Sequence, residues 1–104
     1  MSDQLPQEFR IEFVDDADAC VVRVFGELDL VRADDVRDAL AARDNDVVVV
    51  DLSHVEFIDS TGVSALLIAR RALESSGRCL ELRGAAGATR RVFEAIGLDD
   101  VLDD

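Results

Sequence analysis

Val47-Val48-Val49-Val50-Asp51-Leu52-Ser53-His54-Val55-Glu56-Phe57-Ile58-Asp59-Ser60-Thr61-Gly62 is the segment from which the rest of the chain can be read. Four valines in a row, without alternation, predict a strand covered on both faces, the pattern of a central strand with parallel neighbours. Residues 53–58 read as a connection. A helix follows Asp59-Ser60-Thr61-Gly62, with Val63, Leu66, Leu67, Ile68 and Leu73 over more than one stripe, so its first turns are expected to be well buried. Gly77 stops it.

Upstream, Phe9-Arg10-Ile11-Glu12-Phe13 alternates apolar and polar residues, the period of a half-buried strand. Residues 15–18 read as a turn, and residues 20–25 as a second strand closed by Gly26, so the two form an antiparallel hairpin. Residues 31–43 read as a helix, with Leu30 leading in and Ala33, Val36 and Leu40 at helical spacing. Downstream, residues 79–83 form a strand with Leu80 and Leu82 on one face. Residues 88–96 form a last helix with Val92, Phe93 and Ile96 inward, and Leu98, Val101 and Leu102 dock as a closing turn. The expected architecture is α/β, in the order β-β-α-β-α-β-α. It is a small open mixed sheet headed by a hairpin, with right-handed crossovers and helices packed mainly on one face. Pro6 ends a loose N-terminal tail, residues 1–8, ahead of one domain spanning 9–104.

The chain has 104 residues, one domain's worth, and a formal net charge of −12. That charge repels nucleic acid and anionic membrane surfaces, so neither is an expected partner. No stretch approaches the roughly 20 apolar residues of a membrane span, so no membrane insertion is expected. The first residues have no signal-peptide pattern, which gives a cytoplasmic expectation. Cys20 and Cys79 fall in strands and read as ordinary half-buried thiols. His54 is the single histidine, and no metal site is expected.

The first four N–H groups of a helix lack partners within it, and that end carries partial positive charge. Asp59, Ser60 and Thr61 are all capping types, and Gly62 permits close backbone approach by another chain. A hydroxyl placed here can be presented to a partner and can accept a phosphate without wrecking the fold. On these residues alone Ser60 also reads as a plain N-cap.

Taken together, Gly26-Glu27-Leu28-Asp29, Val50-Asp51-Leu52-Ser53, Phe57-Ile58-Asp59-Ser60-Thr61-Gly62 and Val92-Phe93-Glu94-Ala95-Ile96-Gly97-Leu98 resemble the STAS family, the sulfate transporter and anti-sigma factor antagonist domains. The resemblance runs from about Phe9 to Leu98. It implies an anti-sigma factor antagonist that binds an anti-sigma factor which is also a serine kinase, and so frees a sigma factor. The kinase supplies ATP and phosphorylates the motif serine, releasing the antagonist, and a phosphatase restores it. Carried over by position, Ser60 is the phosphoacceptor. Asp59 flanks it at the interface, and Asp29 is the acidic residue that meets a basic group on the kinase. Thr61 is the second hydroxyl, an alternative acceptor whose expected role is to cap the helix. Ser64 stands where many members have glycine, and it either narrows the kinase contact or supplies a hydrogen bond. Partner contact is therefore expected at Asp29, Asp59, Thr61, Gly62 and Ser64.

Arg90 and Arg91 read as a solvated basic spot, with a secondary partner contact as the alternative. His54, beside the loop, could tune it with pH. The competing function is a STAS scaffold or accessory subunit of a stress-signalling or transporter complex. An enzyme is not expected: there is no nucleophile–base pair with an orienting third group, no metal cluster and no Gly-rich phosphate loop, and no cofactor is called for.

Overall fold

The computed structural model describes residues 8–16 and 19–103. Most of the tail, the middle of the first turn and Asp104 lie outside the described residues. Strands β1 (Arg10–Asp16), β2 (Ala19–Leu28), β3 (Val47–Ile58) and β4 (Cys79–Arg83) form one sheet in the order β1-β2-β3-β4. The β1–β2 pair is antiparallel, while β2–β3 and β3–β4 are parallel. Helix α1 (Leu30–Ala41) joins β2 to β3, and α2 (Ser60–Ser75) joins β3 to β4. Both crossovers step the same way across the sheet, so α1 and α2 lie side by side on one face. Helix α3 (Gly87–Ala95) follows β4, and a 3-10 turn (Asp99–Val101) closes the described chain.

The core lies between that face and the helices. Register places Cys20, Val48 and Leu80 in one row and Val22, Val50 and Leu82 in the next, all fully or nearly fully buried. Val36 and Leu40 of α1, and Val63, Leu66 and Leu73 of α2, cover these rows.

The valine run of β3 is not enclosed on both faces. Val48 and Val50 are buried, whereas Val47, Val49 and Asp51 alternate with them on a helix-free face and are half-buried. Valine suits a strand on either face, so four in a row do not reveal which side is covered. Residues 53–58 are also not a loose connection. They continue β3, and Val55 and Ile58 reach the core. Register against β2 slips between Arg23 and Phe25 and again between Gly26 and Glu27. Each slip breaks the period-2 alternation, which is why this half did not read as a strand.

Beyond Asp51, β3 has no β4 partner. There α3 packs against it, and the buried Thr89 hydroxyl donates to the Val55 carbonyl at 3.1 Å. Phe93 is fully buried beneath, but Ile96, expected inward, is exposed just past the helix end. The outer edge of β4 is met by the C-terminal segment. Asp103 N–H donates to the Leu82 carbonyl at 2.8 Å, and Leu82 N–H donates to the Asp103 carboxylate at 2.8 Å. Arg70 of α2 holds the Val101 carbonyl at 2.9 Å. The two thiols differ: Cys20 is fully buried in β2, while Cys79 is exposed at the start of β4.

Candidate partner-binding and phosphoacceptor site

Parallel strands β2 and β3 end together, Leu28 opposite Ile58, and each is followed at once by a helix. The N-termini of α1 and α2 therefore emerge from the same edge of the sheet. Each is capped by an aspartate. Asp29 accepts from Val31 N–H at 3.1 Å, and Asp59 accepts from Gly62 N–H at 2.9 Å. The same Asp59 oxygen accepts the Thr61 hydroxyl. These two donations hold the Asp59 carboxyl below its ordinary range, the Thr61 hydroxyl contributing most.

This arrangement removes the plain N-cap reading of Ser60. The cap is Asp59, so Ser60 is the first helical residue. Its side chain is exposed and no hydrogen bond within the described residues engages it. Thr61, expected as the cap, is instead half-buried, and its hydroxyl is tied to the cap.

Gly62 corrects an expectation. It is buried, and a Cβ there would lie 2.3 Å from the Leu28 carbonyl oxygen and 2.8 Å from Ile58. The close approach it permits is by this chain's own β2, not by another chain. Gly62 sets how near α2 sits to the end of β2.

Ser64 lies one turn past Ser60 and is exposed. With Thr61 and Ile68 it forms the α2 wall of a shallow groove whose α1 wall includes Leu30, Asp34 and Arg37. Of its lining residues Leu30 is 72% exposed and Ile68 50%, and Val31, next to Leu30 in the chain, is 75% exposed. Sequence reasoning put Ile68 among buried residues and did not single out Val31. The usable signal was that Val31 and Ile68 fall outside the Ala33–Val36–Leu40 and Val63–Leu66–Leu73 stripes that cover the core; Leu30, three residues before Ala33, continues its stripe and gave no such signal.

His54 is not at this edge. It lies in β3 with its ring 4.6 Å from that of Phe25, and its Nδ1 is 3.2 Å from Ser53 Oγ. It is thus occupied within the sheet. Arg90 is held by Glu94 and the Ala85 carbonyl. Among the described residues no cluster of three or more metal-ligating side chains occurs, and no helix is long and apolar enough to cross a membrane.

A family model described as "Mlab, STAS domain" matches residues 11–103, nearly the whole chain. The chain is a STAS domain. This STAS domain is 32% identical over 91 residues to the anti-sigma-B factor antagonist of Listeria monocytogenes, covering 85% of this chain and 80% of that protein. Its fold is similar to that of an anti-sigma factor antagonist from Mycobacterium paratuberculosis, with TM-score 0.79, 29% identity, and coverage of 92% and 84% of the two chains. It is also similar to the anti-sigma factor antagonist SpoIIAA in its unphosphorylated form, with TM-score 0.73, 27% identity, and 93% and 87% coverage. The phosphorylated form of SpoIIAA, from Bacillus, matches at TM-score 0.69, with 26% identity and coverage of 93% and 90%. The mixed four-stranded sheet and β-β-α-β-α-β-α order seen here are those of these neighbours.

Proposed function

We propose that this STAS domain is an anti-sigma factor antagonist that binds an anti-sigma factor with serine kinase activity and lets go when Ser60 carries a phosphate. The observation that supports it most is the division of labour at the start of α2. Asp59 and Thr61 satisfy the helix end between them, which leaves the Ser60 hydroxyl exposed and free of internal bonds. The matching of both the unphosphorylated and the phosphorylated SpoIIAA folds is consistent with a modification that leaves the scaffold in place.

In the transfer, Ser60 Oγ attacks the γ-phosphorus of ATP bound by the kinase, its proton passes to a base on the kinase, the bond from that phosphorus to the β,γ-bridging oxygen breaks, and ADP leaves. The phosphoserine sits at the positive end of α2, where a helix N-terminus tolerates an anion. Toward the partner the effect is opposite. Phosphorylation adds about −1.5 to −2 charges, and one unit charge about 6 Å from another is worth roughly 3 kcal/mol at an effective dielectric near 20. Facing an acidic group, or displacing a close contact, the phosphate weakens binding about a hundredfold. Asp29 and Asp59 offer carboxylates beside Ser60 for a basic group on the kinase, while Thr61 and Ser64 border the contact. Gly62 acts from beneath by fixing the helix. A phosphatase that hydrolyses phospho-Ser60 completes the cycle.

The test is incubation with candidate anti-sigma kinases and ATP, read by intact mass. The expected gain is about 80 Da, one phosphoryl unit, absent in Ser60→Ala and retained in Thr61→Ala. Ser60→Glu is expected to lower affinity for the kinase by roughly tenfold to a hundredfold. A gain that persists in Ser60→Ala, or unchanged binding of the phosphorylated chain, would refute the proposal. Co-purification with a transport ATPase instead would support the accessory-subunit reading.

A further inference from the structure

Among the described residues no helix covers the other face of the sheet, which carries a row of charges that the proposed switch does not use. Glu12 pairs in register with Arg23, Arg23 with Asp51, and Asp51 with Arg83. One line across β1, β2, β3 and β4 therefore reads minus, plus, minus, plus. The four side chains share the uncovered face, because Val22, Val24, Val50, Leu52 and Leu82, their neighbours along the strands, point into the core. Arg23 Nε lies 4.0 Å from the Asp51 carboxylate. Burial pushes the Asp51 carboxyl up. The Ser53 hydroxyl and N–H, with His54 and Arg23, outweigh this and hold it below its ordinary range, so it stays charged at neutral pH. The adjacent row on the same face is Val14, Val21, Val49 and Glu81, with Val14 40% exposed and the next two half-buried.

We propose that this face pairs with the same face of a second copy of the chain, about a two-fold axis parallel to the strands. Such a rotation keeps each row at its height and reverses the strand order. Glu12 then faces Arg83 of the second copy, and Arg23 faces Asp51 of the second copy, so all four charges meet their opposites. In the next row Val21 faces Val49 of the second copy. An axis across the strands would set each charge in the row against its own kind, so the alternation selects one of the two arrangements. The selected one is the aligned packing common to stacked sheets, with strands within about 30° of each other. Each copy carries a formal charge of −12, which opposes association over most of the surface. The row sums to zero, and it still does with the in-chain partners Arg10 of Glu12 and Glu81 of Arg83 included, so contact along it adds no net repulsion. From strand rise and spacing the face spans roughly 400 Å² on each copy. That is small among specific interfaces, so the pair is weak and concentration-dependent.

Sedimentation equilibrium of the full chain, up to about 1 mM to capture weak association, tests this. The wild-type chain is expected to dimerise as concentration rises. Glu12→Arg alone and Arg83→Glu alone each remain monomeric. An equimolar mixture of the two forms heterodimers, because plus-plus-minus-plus meets its complement when minus-plus-minus-minus is reversed. The double variant Glu12→Arg/Arg83→Glu dimerises again. Within one chain β1 and β4 are separated by about 14 Å across the sheet, so recovery cannot arise from an internal pair. If a reversed variant fails to fold by circular dichroism, Glu12→Gln and Arg83→Gln each weaken association about tenfold. A wild-type chain that stays monomeric, a folded mixture that does not associate, or neutral variants that associate like wild type would each overturn the proposal.

Discussion

One carboxylate oxygen of Asp59 organises the start of α2, and its loss has measurable consequences. Asp59→Ala removes the cap and is expected to cost about 1 kcal/mol. For a chain of this length that lowers the melting temperature by roughly 4–8 °C. The same oxygen also links stability to pH. Because the folded carboxyl is held below its ordinary range, the stabilisation is fully present above the unfolded value near pH 4. It fades as pH falls through the lowered folded value, when the carboxylate is neutralised. Urea melts of wild type and Asp59→Asn should therefore differ at pH 7 and converge in acid. A gap that stays constant across that range would show that the charge is immaterial. Gly62→Ala is expected to destabilise by about 1–3 kcal/mol through overpacking, since its new methyl would press on the Leu28 carbonyl and Ile58. A melt matching wild type would show that β2 and α2 separate without penalty. The composition of this corner was legible, because Asp59-Ser60-Thr61-Gly62 announces a helix start. Which of three capping types forms the cap was not, since all three can accept from the same N–H groups and only the settled rotamers decide. That indeterminacy is why Ser60 read as cap and acceptor at once.

The strands and helices show the same pattern of legibility. Helices α1 and α2 stand within a residue or two of where the Ala33–Val36–Leu40 and Val63–Leu66–Leu73 spacings put them, because period 3.6 survives wherever a helix covers a sheet. β3 was half read. Its first part is a run of valines, whereas its second part follows two register slips, so its buried positions fall three apart at Leu52, Val55 and Ile58. Exposed apolar residues were the least visible, because Leu30, Val31 and Ile68 look like core residues until the fold turns them outward. Leu30 and Ile68 line the groove between α1 and α2, and Val31 follows Leu30 in the first turn of α1, which carries a prediction. Leu30→Ser, Val31→Ser and Ile68→Ser are each expected to weaken binding to the anti-sigma kinase by about tenfold or more, the worth of one apolar side chain lost from a contact. Their melting temperatures should stay near wild type. Unchanged affinity in all three would place the contact elsewhere.

Taken whole, the molecule divides its surface between two jobs. The edge where β2 and β3 deliver α1 and α2 presents Ser60, the proposed phosphoacceptor, and the opposite face of the sheet presents the charge row. Element order and sheet type followed from hydrophobic periods and crossover geometry. The bareness of the opposite side did not, since neighbouring strands alone half-bury a valine. The last feature concerns the rim of β4. An unpaired strand border offers hydrogen-bonding groups to any passing chain, a standing invitation to polymerise. Here Asp103 answers the Leu82 amide with its side chain and the Leu82 carbonyl with its own amide. A single residue thus imitates one rung of a fifth strand.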